Sequence, residues 1–204
     1  MDSFFVGFGI AFMGLVPPGM LNMSAVRIAL EDGLREALKF SVGACLVVGI
    51  HSFIAMTFSV YLNNHPSIIE LLKVLSVLVF FALSGFFFMQ SKKKFDVEVK
   101  KQKGNKILNG FIMSNMNMLG IPFYCGASLA LSAKNPSILD GSAKFILVLG
   151  AILGAFTLFS IYSLFAKIVK TKLSFISENI NLILAVFFFF LGSLVLLKIF
   201  LKNI

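Results

Sequence analysis

The sequence predicts an all-α integral membrane protein, with six transmembrane helices arranged as two inverted three-helix repeats and with helices 1 and 4 broken. Three observations predict it. Of 204 residues, 58% are hydrophobic and only 13% charged, against roughly 45–50% and about 25% in a soluble domain. Six stretches free of Asp, Glu, Lys and Arg are each long enough to cross hydrocarbon as a helix. Proline or glycine interrupts two of these, at corresponding places of the two halves. The whole chain, 1–204, is then one transmembrane domain, with repeats at 1–91 and 107–204 joined by a basic loop at 92–106.

Span 1 runs from Ser3 to Val26 and holds Pro17, Pro18 and Gly19. Neither proline has an amide proton and both clash with the preceding turn, so the helix kinks or breaks there. At 1.5 Å per residue the break lies roughly 20 Å from the outer end, inside a core about 30 Å thick. Carbonyls freed near Met13 and Gly14 then have to face protein, water or a solute rather than lipid. Amides after Gly19 start a second half-helix, whose positive end suits a carboxylate. Asn22, one turn further on, offers a side-chain donor and acceptor. A proline kink that only packs helices is the alternative.

Span 2, Phe40 to His65, carries His51, the only ionisable side chain deep in any span. Such a histidine relays a proton or binds a carboxylate when charged; a plain hydrogen bond to a carbonyl is the other use. Span 3 is Val74 to Ser91. Span 4, Ile107 to Ala133, repeats the theme of span 1 with Asn115, Asn117, Gly120 and Pro122. Amide side chains at that depth are costly unless they line a cavity or join helices. Span 5, Phe145 to Ala166, contains Gly150-x-x-x-Gly154, with Thr157 and Ser160 continuing a small or polar stripe. This face suits close helix packing inside the chain, or a homodimer seam. Span 6, Asn179 to Leu197, contains the phenylalanines 187–190, which surround the helix and fit lipid and neighbours at once. Ser177 before Glu178 resembles a helix start, and Tyr61 sits where an interface anchor would.

Paired breaks are the sequence pointer to a transporter site between repeats. The repeat shows in Gly7-Phe8 and Gly110-Phe111, each ahead of its break, and in Phe40 and Gly49 of span 2, spaced like Phe145 and Gly154 of span 5.

A net charge of +9 raises the question of nucleic acid, and position answers it. With the N-terminus outside, thirteen Lys and Arg fall on inner connections and five on the outer side. That asymmetry predicts both termini outside and reads the charge as orientation, with no nucleic-acid partner. Seven of the thirteen, Lys92, Lys93, Lys94, Lys100, Lys101, Lys103 and Lys106, form the central loop. Topology determinant is the plainer role for them, anionic-lipid contact the other.

The sequence Pro18-Gly19-Met20, followed by Ala25-Val26-Arg27, Gly33, Gly43 and His51, resembles the first half of the LysE/RhtB amino-acid exporter family. Gly110-Phe111 and Asn117 resemble the family's Gly-Phe segment ending in Asn-Pro. Here Met20 and Met118 stand where the family has proline, and Val47 or Val48 where some members carry an acid. The resemblance implies a bacterial inner-membrane secondary transporter exporting an amino acid or similar zwitterion by proton antiport. Solute would then bind among Pro17, Pro18, Gly19, Asn22, Asn115, Asn117 and Pro122, His51 would couple protons, and the halves would rock against each other.

Other classes fit less well. A membrane scaffold or accessory subunit would use the Gly150 and Gly154 face for partner helices. Divalent-cation export needs carboxylates, and all nine lie outside or near the ends of the spans. No cofactor or metal is expected, since Cys45 and Cys125 have no ligand spacing and no ATP-binding motif occurs. Nor is an enzyme, because one histidine without an acidic partner makes no catalytic set. The N-terminus has no Lys or Arg before Arg27, which predicts that it is retained rather than cleaved as a signal.

Overall fold

The computed structural model describes residues 2–91, 104–117, 119–132, 136–172 and 174–202. Met118, Lys134 and the basic cluster from Lys92 to Lys103 lie outside them, so the loop at 92–106 is described only from Gly104. All regular structure among the described residues is helical. In order, the helices are α1 (Asp2–Leu15), α2 (Met20–Glu31), α3 (Leu34–Asn63), α4 (Pro66–Ser91), α5 (Lys106–Asn115), α6 (Gly120–Ser132), α7 (Gly141–Leu164), α8 (Ala166–Lys172) and α9 (Ser174–Lys202), with a 3-10 turn at Pro136–Leu139.

Four of these are long and apolar enough to cross a membrane alone: α3, α4, α7 and α9. The first predicted span is α1 followed by α2, bent by 81° where the two prolines stand. The fourth is α5 followed by α6, separated by residues 116–119. Helix α3 begins six residues before its predicted span, because Arg35, Glu36 and Lys39 form its first turns. Gly33 makes this start possible: its φ of +94° is a left-handed conformation that closes α2 and turns the chain into α3. Residues 167–172, expected to be an inner connection, form the helix α8 together with Ala166, the last residue of predicted span 5.

The chain folds as two compact units. One comprises Met1–Tyr61 and Val99–Leu173, the other Leu62–Glu98 and Ser174–Ile204. In the larger unit, several helices approach closely where glycine removes the side chain. A Cβ on Gly7 of α1 would overlap the Leu147 carbonyl of α7, and one on Gly150 or Gly154 would overlap the carbonyl of Phe4 or Phe8. The Gly150-x-x-x-Gly154 face is thus filled by α1. Likewise a Cβ on Gly43 of α3 would overlap the Ile107 carbonyl of α5, and one on Gly110 the Phe40 carbonyl. Close backbone approach of this kind is what holds helices together where lipid removes the hydrophobic drive between them. Around the crossings, Ala11, Ala25, Phe40, Ala44, Ala151, Ala155 and Phe159 form a fully buried core.

The smaller unit is α4 packed on α9. Phe80 and Phe87 stack on Phe188 at 6.0 and 5.7 Å between ring centroids, and Ser84 Oγ donates to the Ala185 carbonyl at 2.8 Å. Phe188 is buried, while Phe187, Phe189 and Phe190 are exposed. Phe189 nonetheless meets Phe81 of α4 edge to face at 5.7 Å between ring centroids, so two phenylalanines of the run touch the neighbouring helix.

Candidate functional site

Both helix breaks lie in the larger unit. At the first, α1 ends with Leu15, Val16 and Pro17 offering carbonyls that an unbroken helix would have used. Protein side chains take all three. Asn22 Nδ2 donates to the Leu15 carbonyl at 2.7 Å and to the Pro17 carbonyl at 3.1 Å. Tyr162, near the end of α7, donates its hydroxyl to the Val16 carbonyl at 2.6 Å. Asn22 is 2% exposed, so its donor, expected to face a solute, instead caps α1. Its Oδ1 is buried and has no hydrogen-bond partner. That is one acceptor left open beside the break.

Beyond the break, Gly19 precedes α2 with φ −111° and ψ −179°, an extended conformation open to any residue, and no side chain caps the helix. The first intrahelical bond runs from Met23 N to the Gly19 carbonyl, 3.0 Å. Ahead of it, the amides of Met20, Leu21 and Asn22 form a positive helix end. A Cβ built on Gly19 meets nothing within 4 Å. Pro17 and Gly19 are exposed and Pro18 is buried, so the uncapped end opens onto free space.

The second break is held differently. Asn117 N bonds to the Ser114 carbonyl at 3.1 Å and Gly120 N to the Asn117 carbonyl at 3.2 Å, a tight turn between α5 and α6. Ser114 Oγ donates to the Ala44 carbonyl of α3 at 3.1 Å, tying this end of α5 to α3. Asn115 is exposed and Asn117 half-buried. Among the described residues neither side chain makes a hydrogen bond, so both amides are available. Pro122 is exposed in the first turn of α6, where a missing amide costs little.

One contact joins the two broken helices, and a second places His51 at the later break. The Phe123 ring of α6 lies on Gly14 of α1, where a Cβ would come 2.6 Å from Cε1. The His51 imidazole of α3 lies on Gly120, its Nδ1 2.7 Å from where a Cβ would stand. His51 is 8% exposed and makes no hydrogen bond among the described residues. Ser59 of α3 adds a tie to α6, donating to the Cys125 carbonyl at 3.2 Å. Asn22 thus sits at the Pro17 to Gly19 break and His51 at the Asn115 to Pro122 break. Gly150 and Gly154 lie against α1.

Interrupted helices with polar side chains beside the breaks are the arrangement in which non-helical backbone borders protein or a cavity rather than lipid. A model of the LysE type translocator family matches residues 12–199. The chain belongs to that family. Membership implies a multi-pass membrane exporter of amino acids or related solutes, that is, a transporter rather than an enzyme. No curated protein and no solved structure matches the chain. Among the described residues no group of three His, Cys, Asp or Glu side chains is placed to hold a metal ion.

Tyr162 and Phe123 were not legible as site residues. A tyrosine hydroxyl inside an apolar span needs a partner, which is a signal for Tyr162. Nothing in the sequence distinguishes Phe123 among 25 phenylalanines.

Proposed function

We propose that this LysE-type translocator is a secondary transporter that exports a small amino acid or similar zwitterion across the bacterial inner membrane by proton antiport. The observation that carries the reading is the meeting of two interrupted helices through the Phe123 and Gly14 contact. The uncapped start of α2 receives the solute carboxylate, since free amides and the helix dipole both favour an anion there. Asn22 Oδ1 accepts from the ammonium, and Asn115 and Asn117 supply contacts from the opposite break. His51, against Gly120, is the proton-responsive group. Six crossings, with both termini outside, complete the topology.

The glycine crossings support the inverted repeat, and we read its register from them. Gly7 against Leu147 and Gly150 against Phe4 form one crossing; Gly110 against Phe40 and Gly43 against Ile107 form the other. In this register Gly43 corresponds to Gly150, in place of the match of Gly49 with Gly154 expected from sequence. Each crossing joins a helix of 1–91 to one of 107–204. Rocking one half against the other would tear both crossings apart. We therefore assign the moving bodies to the glycine-locked pairs, α1 with α7 and α3 with α5, with hinges at the breaks.

Proteoliposomes loaded with labelled amino acids and placed under a pH gradient test this reading. Gradient-dependent release, abolished in well-folded Gly19→Leu and Asn117→Ala variants, is the expected result. Absence of release for every amino acid would overturn it.

A further inference from the structure

The side chains exposed around the two breaks are apolar: Met13 (71% exposed), Val16, Met20 (54%), Met116 (69%), Leu119 and Phe123. Exposed apolar residues on a transmembrane helix ordinarily face lipid. At a helix break that assignment fails, because non-helical backbone at membrane depth occurs only where it borders protein or a solute-filled cavity. These six residues stand within the breaks or beside them, on the same stretches as the uncapped α2 amides and the free Asn115 and Asn117 side chains. On the export reading they border the solute path.

The carboxylates of the larger unit are elsewhere. Glu31 pairs with Arg27 at 2.8 Å, Asp32 with Lys106 at 2.6 Å and Glu36 with Lys39 at 2.6 Å, all at the far end of α2 or the start of α3. From Met20 to Glu31 is roughly 16 Å of helix. Asp2 begins α1, roughly 20 Å before its break, and Asp140 precedes α7. Among the described residues of the larger unit, no carboxylate stands at either break.

We infer that the exported solute is an amino acid with an uncharged, apolar side chain, and that lysine-like and acidic side chains are rejected. This rests on the export reading above. The polar groups at the breaks are matched to the zwitterionic end common to all amino acids. The remaining contacts are apolar, and three of the six are methionines, whose flexible thioethers adapt to differently shaped apolar groups. A charged side chain placed among them would lose its hydration without gaining a partner.

The test uses the full chain in proteoliposomes loaded separately with labelled leucine, methionine, lysine or glutamate. Leucine and methionine should leave at least about tenfold faster than lysine or glutamate, the scale a mismatched pocket imposes. Met116→Glu should raise lysine release and lower leucine release, and Met116→Gln should not raise lysine release. Leu119→Glu provides the same readout at a second position. Equal release of lysine and leucine would overturn the specificity while leaving export intact. Release of no amino acid would overturn the specificity and the export reading together.

Discussion

Gly110 of α5 lies so close to Phe40 of α3 that a Cβ on the glycine would overlap the Phe40 carbonyl oxygen and sit 3.0 Å from Ala44 N. Both obstacles are backbone, which cannot rotate away. Gly110→Ala and Gly43→Ala must therefore separate α3 from α5, at about 3 kcal/mol each, the upper end of the usual cost of overpacking. Gly19→Ala meets open space and should change stability by no more than about 0.5 kcal/mol. Thermal unfolding of the detergent-solubilised protein distinguishes these outcomes. Equal Tm values for Gly110→Ala and wild type would show that the crossing is looser than described.

Tyr162 and Asn22 between them satisfy the three carbonyls at the end of α1, so their loss should loosen the first break. Tyr162→Phe removes one hydrogen bond, worth about 1 kcal/mol, and Asn22→Leu removes two, worth about 2 kcal/mol. Export should fall with both, more in Asn22→Leu. The check is the Tm of each variant read beside its release rate from proteoliposomes. A Tyr162→Phe protein with unchanged stability would mean that water replaces the hydroxyl.

The breaks were legible because proline and glycine act on the backbone itself. Pro17 and Pro18 stop a helix whatever surrounds them, and α1 duly ends at Leu15. The bend of 81° was not legible, since a proline stops a helix without setting the direction of the next. Asn22 was legible as a polar residue out of place, but its role was not. An amide can face a solute or cap a helix, and only the positions of Leu15 and Pro17 decide. Matches of Gly and Phe are cheap in so apolar a chain, whereas the backbone overlaps at Gly43 and Gly150 depend on helix positions that identity does not carry.

Lys106 at the start of α5 pairs with Asp32 at the end of α2, and the lysine side chain is only 10% exposed. The ammonium is thus largely removed from solvent, and the pair joins the two halves of the sequence. Asp32→Asn and Lys106→Met should each destabilise the protein, and a double-mutant cycle should return a coupling energy of about 1 kcal/mol. Raising salt from 0.1 to 1 M, which shortens the screening length from about 10 to about 3 Å, should weaken it less than the Arg27 and Glu31 pair, whose side chains are a third exposed or more. Additive single-mutant effects would leave the pair without energetic weight.

His51 meets Gly120 at the second break, with its imidazole buried and unbonded among the described residues. Histidine changes charge near neutral pH, and protonation there would add a donor beside the turn that positions Asn115 and Asn117. His51→Gln keeps a polar side chain of similar reach that has no ionisable ring. It should retain amino-acid exchange, with a rate varying less than about twofold between pH 5 and 8, the range over which histidine charge changes. Gly120→Ala should disturb the pH profile by displacing the imidazole, since its Cβ would come 2.7 Å from Nδ1. In a His51→Gln background the same alanine should leave the pH profile unchanged. Exchange assayed across the pH series in all four proteins decides the matter, and a His51→Gln profile identical to wild type would remove His51 from proton coupling.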